Sequence, residues 1–222
     1  MITIDKVRKN KEILEFIKQT ESVLSALGFT DHGLRHCNLV AQRAKEIAQK
    51  LDLNRREIEL SAVAGFCHDM ANFVSRSYHN YFASLLFHQV FGKKENPEEV
   101  AMVMQALANH DKEFEDIAFA GPVSAIAILA DKSDVHRSRV IVEGIENIKM
   151  DIHDRVNYAT ESNSIDVDPE KKRIILTLKI DTNFVAVMEY FEIFTERMIF
   201  CRKAAQSLGY AFGLVINEFV LL

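Results

Sequence analysis

Four residues of this 222-residue chain combine types and surroundings suited to holding a metal: His36, the adjacent pair His68-Asp69, and Asp131. The His-Asp pair alone says little, because it occurs three times, at His68-Asp69, His110-Asp111 and His153-Asp154. The first stands apart because it follows the apolar run Ala62-Val63-Ala64-Gly65-Phe66-Cys67, which carries it toward the inside of a domain. An ionised carboxylate buried beside an imidazole is costly unless a charge compensates it, and a cation does so. Asp131 repeats the pattern after Ile126-Ala127-Ile128-Leu129-Ala130. His36 stands at the start of an amphipathic segment whose apolar side carries Leu39, Val40 and Ala44. Mixed nitrogen and oxygen ligands from separate helices suit Mn, Fe, Zn or Co better than calcium. Singly, each residue has an ordinary explanation: a helix-start ring bound to a carbonyl for His36, a solvated helix terminus for His68, a turn former for Asp69. Their joint order and apolar flanks favour the metal.

The order His36, then His68-Asp69 within Ala64-Gly65-Phe66-Cys67-His68-Asp69-Met70-Ala71, then Asp131 within Leu129-Ala130-Asp131-Lys132, resembles the H, HD, D signature of HD-domain metal-dependent phosphohydrolases. The resemblance implies a helical core and hydrolysis of a phosphate ester by a metal-activated water. It also implies a small phosphorylated substrate, a phosphomonoester or a phosphodiester, with nucleotides among the candidates. His79 and His110 match positions found in the binuclear branch of that superfamily, which implies one or two divalent transition-metal ions. Phosphate also needs donors. Lys132 directly follows Asp131, and Arg139, on a helix continuing past Asp131, would return to within about 80° of the same face. Asp69, Lys132 and Arg139 are therefore the expected catalytic set, with Arg76 and Lys112 as second choices for phosphate. The alternative function is a non-catalytic metal- and ligand-binding signalling module with a C-terminal sensing or dimerisation unit.

The elements that must position these residues are mostly helices, since the apolar pattern up to about residue 148 has a period near 3.6. Opening helices stop at Gly28, and another helix follows from Leu34 to Leu51. Asn54 caps a helix that delivers His68 and Asp69 at its C-terminal end. A helix over Asn80 to Phe91 stops at Gly92, Asn96-Pro97 opens one that runs to His110, and Pro122 opens one that leads into Asp131. His88, on an apolar helix, is expected to pack in the core. Beyond residue 149 the β-branched run Arg173 to Ile180 and the turn-like Asp166-Val167-Asp168-Pro169-Glu170 suggest a hairpin. Asp181 or Thr182 would cap a long Phe- and Met-rich helix, Gly209 would end it, and a last strand would run from Phe212 to Val220. The expected fold is mainly α: an HD-domain helical core at residues 1–148 and a small C-terminal α+β domain, β-β-α-β, at residues 149–222. The apolar residues around the long helix make a homodimer contact a further expectation.

The chain as a whole narrows the partners. Its 27 basic and 32 acidic residues give a formal charge of -5, so nothing global attracts it to nucleic acid or an anionic membrane, and an anionic substrate must be held by local cations. Charges interrupt the N-terminal apolar residues and no stretch approaches about 18 uninterrupted apolar residues, so a cytoplasmic protein without a membrane span is expected. Cys37, Cys67 and Cys201 lack paired metal spacing and are expected to be free and buried.

Overall fold

A computed structural model describes residues 1–112 and 118–221. Among the described residues the chain opens with helices α1 (Ile4–Arg8), α2 (Lys11–Ala26), α3 (Leu34–Lys50), α4 (Arg55–Cys67), α5 (His79–Phe91), α6 (Pro97–Asn109) and α7 (Pro122–Lys132). Local chemistry sets their ends. Asn10 and Asn96 accept backbone N–H bonds at the starts of α2 and α6, and Asn54 accepts from Glu57 N while its amide donates back to the Glu57 carboxylate. The α2 terminus closes with Phe29 N donating to Leu24 O and Gly28 N to Ser25 O. This closure needs a left-handed residue, and Gly28, at φ +79°, supplies it. It also fixes where Phe29 emerges.

The helices bury two apolar layers. One gathers residues of α1 to α7, including Ile17, Val63, Phe66 and Phe87. The other places α3 and α7 against Val167, Ile174, Phe200 and Cys201 from the C-terminal elements. α7 sits between both layers, so every residue from Val123 to Lys132 is buried, and Asp131 and Lys132 with them. All three cysteines are free and buried, as expected.

After α7 come a 3-10 turn (Arg137–Arg139), α8 (Ile145–Met150), α9 (Ile152–Ala159), β1 (Thr160–Asp168), β2 (Arg173–Ile180), α10 (Val187–Ser207), β3 (Ala211–Ile216) and β4 (Phe219–Leu221). β1 and β2 form the expected antiparallel hairpin. β3 lies parallel to β2, a connection that requires a crossover, and α10 provides it. β2 alternates inward Ile174, Leu176, Leu178 and Ile180 with outward residues, so one face of the sheet is buried under α10.

Several expectations require correction. The single last strand is two, because Asn217 and Glu218 both take positive φ, +48° and +72°, in a two-residue turn, and the tail is β-β-α-β-β. Asn217 holds this turn against β2, accepting from Ile180 N and donating to Ile180 O at 2.8 Å each. Neither Asp181 nor Thr182 caps α10, whose N-cap is Ala186; the Asp181 side chain instead accepts from Asn183 N in the preceding turn. α8 and α9, at six and eight residues, are too short to give a periodic signal in the sequence. His88 is exposed rather than packed. α7 does not continue to Arg139: it ends at Lys132, and Arg139 closes the 3-10 turn. On α10, Tyr190, Phe194, Phe200 and Cys201 are buried, Phe191, Ile193, Met198 and Ile199 are half-buried and Met188 is exposed. Among the described residues no helix is long and apolar enough to cross a membrane.

Candidate metal centre

Helix ends deliver the candidate ligands. His36 lies in the first turn of α3, His79 is the first residue of α5, and His68 and His110 cap the C-termini of α4 and α6. Asp131 sits in the last turn of α7. Three C-terminal helix ends thus face one volume, and their partial negative charges favour a cation there.

The four imidazoles are oriented alike. Nδ1 of His68 donates to Gly65 O (2.9 Å), that of His79 to Arg76 O (2.7 Å) and that of His110 to Leu107 O (2.6 Å), each three residues back along the chain. At the ends of α4 and α6 these carbonyls have no partner within the helix, so the ring satisfies the helix terminus as it is aimed. His36 Nδ1 donates to Asp134 Oδ2 at 2.7 Å. With every Nδ1 proton so engaged, the Nε2 lone pairs point the other way, toward Asp69.

Asp69 divides them. His68 Nε2 lies 3.1 Å and His36 Nε2 3.5 Å from its Oδ2, whereas His79 Nε2 lies 3.2 Å and His110 Nε2 3.6 Å from its Oδ1. Asp131 Oδ1 completes the first side, 3.5 Å from both His36 and His68. Two groups therefore share one carboxylate: His36, His68 and Asp69, and Asp69, His79 and His110. All of these residues are buried. Within each group two ring nitrogens face each other, His36 with His68 at 3.1 Å and His79 with His110 at 3.0 Å. Two lone pairs at that distance repel unless a positive charge lies between them, so the donor set fits a divalent transition metal on each side of Asp69.

Electrostatics agree with a site built for positive charge. Burial lowers the proton affinity of His68, but the Asp69 and Asp131 carboxylates outweigh it and push the ring up to about 10: without a cation, the site retains a proton. Burial acts to raise Asp69 and Asp131, yet both carboxyls are held well below their usual range, Asp69 chiefly by His68 and Asp131 chiefly by Lys132. Burial keeps His110 below its ordinary value, which suits a neutral ligand.

The two cations expected to contact phosphate both line the cavity above this centre but have other partners. Lys132 Nζ sits 2.9 Å from Asp131 Oδ2 and 3.1 Å from Asp111 Oδ1, so it holds the face of Asp131 turned away from the histidines. Arg139 donates to the carbonyls of Asp134 and Asp31, at 3.0 Å each. Sequence reasoning missed Asp134, Asn72 and Arg197. Asn72 donates to Asp69 Oδ1 at 3.0 Å, and Arg197 joins Arg76, Lys112, Lys132 and Arg139 around a cavity of about 320 Å³. The acid three residues beyond Asp131 was a visible signal; nothing local marked Asn72 or Arg197.

Comparison with curated proteins returns no match. A model of the HD domain family matches residues 33–156, more than half of the chain and the segment that carries all six candidate ligands. This chain belongs to the HD-domain superfamily of metal-dependent phosphohydrolases.

Proposed function

We propose that this protein hydrolyses a phosphate ester at the Asp69 centre, with His36, His68, Asp69 and Asp131 holding one divalent transition-metal ion and Asp69, His79 and His110 a second. The observation that carries the reading is the common orientation of the four imidazoles, each fixed through Nδ1 with its Nε2 lone pair directed at one of the two Asp69 oxygens. Such ions, when bound, supply Lewis acidity, polarising the phosphoryl group and making water acidic enough to react near neutral pH.

The chain's own groups supply the rest. Asp69 ties the two ligand groups together, and Asn72 fixes its Oδ1 from behind. Lys132 neutralises the outer oxygen of Asp131, so the inner oxygen keeps its direction toward His36 and His68. Phosphate oxygens need donors that are not already engaged. Among the described residues the Lys112 ammonium and the Arg197 guanidinium make no hydrogen bond or ion pair with protein; they lie over the rings of Tyr81 and Phe194. With Arg76, which is held loosely by Asn72 and lies 3.9 Å from Asp111, they form the phosphate-binding side of the cavity. Arg139 and Lys132 shape that side and add positive potential.

Elemental analysis of purified protein, followed by a panel of phosphomonoesters and phosphodiesters, tests the reading. Wild-type protein is expected to carry transition metal and to release product, and Asp69→Ala to lose both. Hydrolysis that persists in metal-free Asp69→Ala protein would refute it.

A further inference from the structure

The last two strands form a hairpin whose own packing does not account for it. Both turn residues, Asn217 and Glu218, take positive φ, and the glutamate has neither the freedom of glycine nor the short side chain of asparagine to ease that conformation. Asn217 is also committed, through both of its side-chain groups, to the backbone of Ile180. What this turn brings back along β3 is three apolar residues that stay in solvent: Phe219 is 75% exposed, Val220 61% and Leu221 45%. Burial within the chain therefore does not explain why the strand is made.

β4 is one edge of a sheet whose order is β1-β2-β3-β4. The opposite edge is blunted in ways that keep strands from pairing: β1 has a bulge between Thr160 and Ser162, and it carries Glu161, Asp166 and Asp168, the first two paired with Lys179 and Lys50. β4 has neither a bulge nor a charge. In a two-residue hairpin the closing pair, here Ile216 and Phe219, is a hydrogen-bonded one, so by alternation the N–H and C=O of Val220 turn to the open side. Among the described residues no strand lies there to receive them.

Phe219 and Leu221 lie on the same face as Ile216 and Leu214, which are buried under α10. The apolar layer thus runs on past the helix that covers it, and whatever occupies this edge must supply both backbone partners and apolar cover. A second copy of β4 supplies both. Run antiparallel about a two-fold axis at Val220, two such strands set Val220 against Val220 and Phe219 against Leu221. The first pair exchanges the two outward backbone hydrogen bonds, and the second continues the inner row Ile165, Leu176, Leu214, Leu221 into Phe219 of the other copy. A two-fold axis sets any charge it meets against its own kind. The row that reaches this axis, Ser164, Thr177, Val215 and Val220, holds none, as a self-pairing strand requires.

We infer that this protein forms a two-fold dimer through β4, joining the two four-stranded sheets into one continuous sheet. Three residues a side bury less than the ~1,200 Å² of a standard interface, so the dimer dissociates in the micromolar range. The inference does not depend on the phosphohydrolase reading.

Sedimentation velocity of the full chain between about 5 and 500 µM tests it, with Val220→Lys and Val220→Glu, both at an exposed position, as variants. Wild-type protein is expected to pass from 25.3 kDa toward twice that mass across the range. Each variant alone, with like charges across the axis, is expected to stay monomeric, and an equimolar mixture to recover the dimer. Thermal melts check that the variants fold; if either does not, Phe219→Ser takes its place and should weaken self-association by about tenfold or more. Monomeric wild type at the highest concentration overturns the inference, as does a dimer that the variants leave intact, which would lie elsewhere on the surface. A mixture that remains monomeric overturns the pairing of Val220 with itself, and the two-fold contact with it.

Discussion

His36 Nδ1 and Asp134 Oδ2 lie 2.7 Å apart, joining two side chains that solvent does not reach and that are separated by 98 residues of sequence. Asp134 also pairs with Arg35 at 2.9 Å, and its carboxyl is held below the usual range against burial by His36, Arg139 and Arg35. The ring is thereby locked with Nε2 toward Asp69.

Asp134→Asn keeps the shape of this contact and removes its charge. The variant is expected to fold and to bind its metal on the order of 10- to 100-fold more weakly, measured by competition with a chromophoric chelator. Unchanged affinity would show that His36 is oriented by packing alone.

Gly65 sits where α4 crosses α3. A Cβ there would lie 2.9 Å from Val40 O and 3.2 Å from Ala41 Cα, both backbone atoms that cannot turn aside. Gly65 O is also the acceptor for His68 Nδ1. Gly65→Ala is expected to push the two helices apart, to cost about 1–3 kcal/mol, and to lower Tm by roughly 3–10 °C. Because α3 carries His36 and α4 delivers His68, metal content should fall as well. A variant with wild-type Tm and full metal content would contradict this account of the helix crossing.

Asp154 gives a pH-dependent test that does not involve the metal. Burial, and then the neighbouring Asp151 charge, raise its carboxyl above the ordinary value. The folded protein therefore takes up this proton at higher pH than the unfolded chain does. The charged form is a cost to stability, present above the folded pKa and removed as pH falls through it. Asp154→Asn is expected to raise Tm slightly at about pH 7, with the gain shrinking as pH approaches about 4. Thermal melts of the two proteins at both pH values provide the measurement. A variant less stable than wild type at both would mark Asp154 as a support of α9.

The sequence by itself determined the helices up to Lys132 and the order of the candidate ligands. A period near 3.6, asparagine caps, Pro97, Pro122 and Gly28 act through neighbouring backbone, so their consequences are local and readable. An acid at the end of an apolar helix, as at Asp69 and Asp131, states its own electrostatic problem without reference to distant residues. Tertiary structure alone decided which groups meet. Asp134 reaches His36, Asn72 fixes Asp69, and Arg197 enters the cavity from α10, because packed helices bring together side chains that no local pattern relates. It also settled that Arg139, on a turn rather than a continuing helix, is taken up by two carbonyls, while among the described residues Lys112 and Arg197 line the cavity without a hydrogen bond or ion pair. Whether a charge is engaged or available depends on every neighbour in space, and that information exists only once the chain is folded.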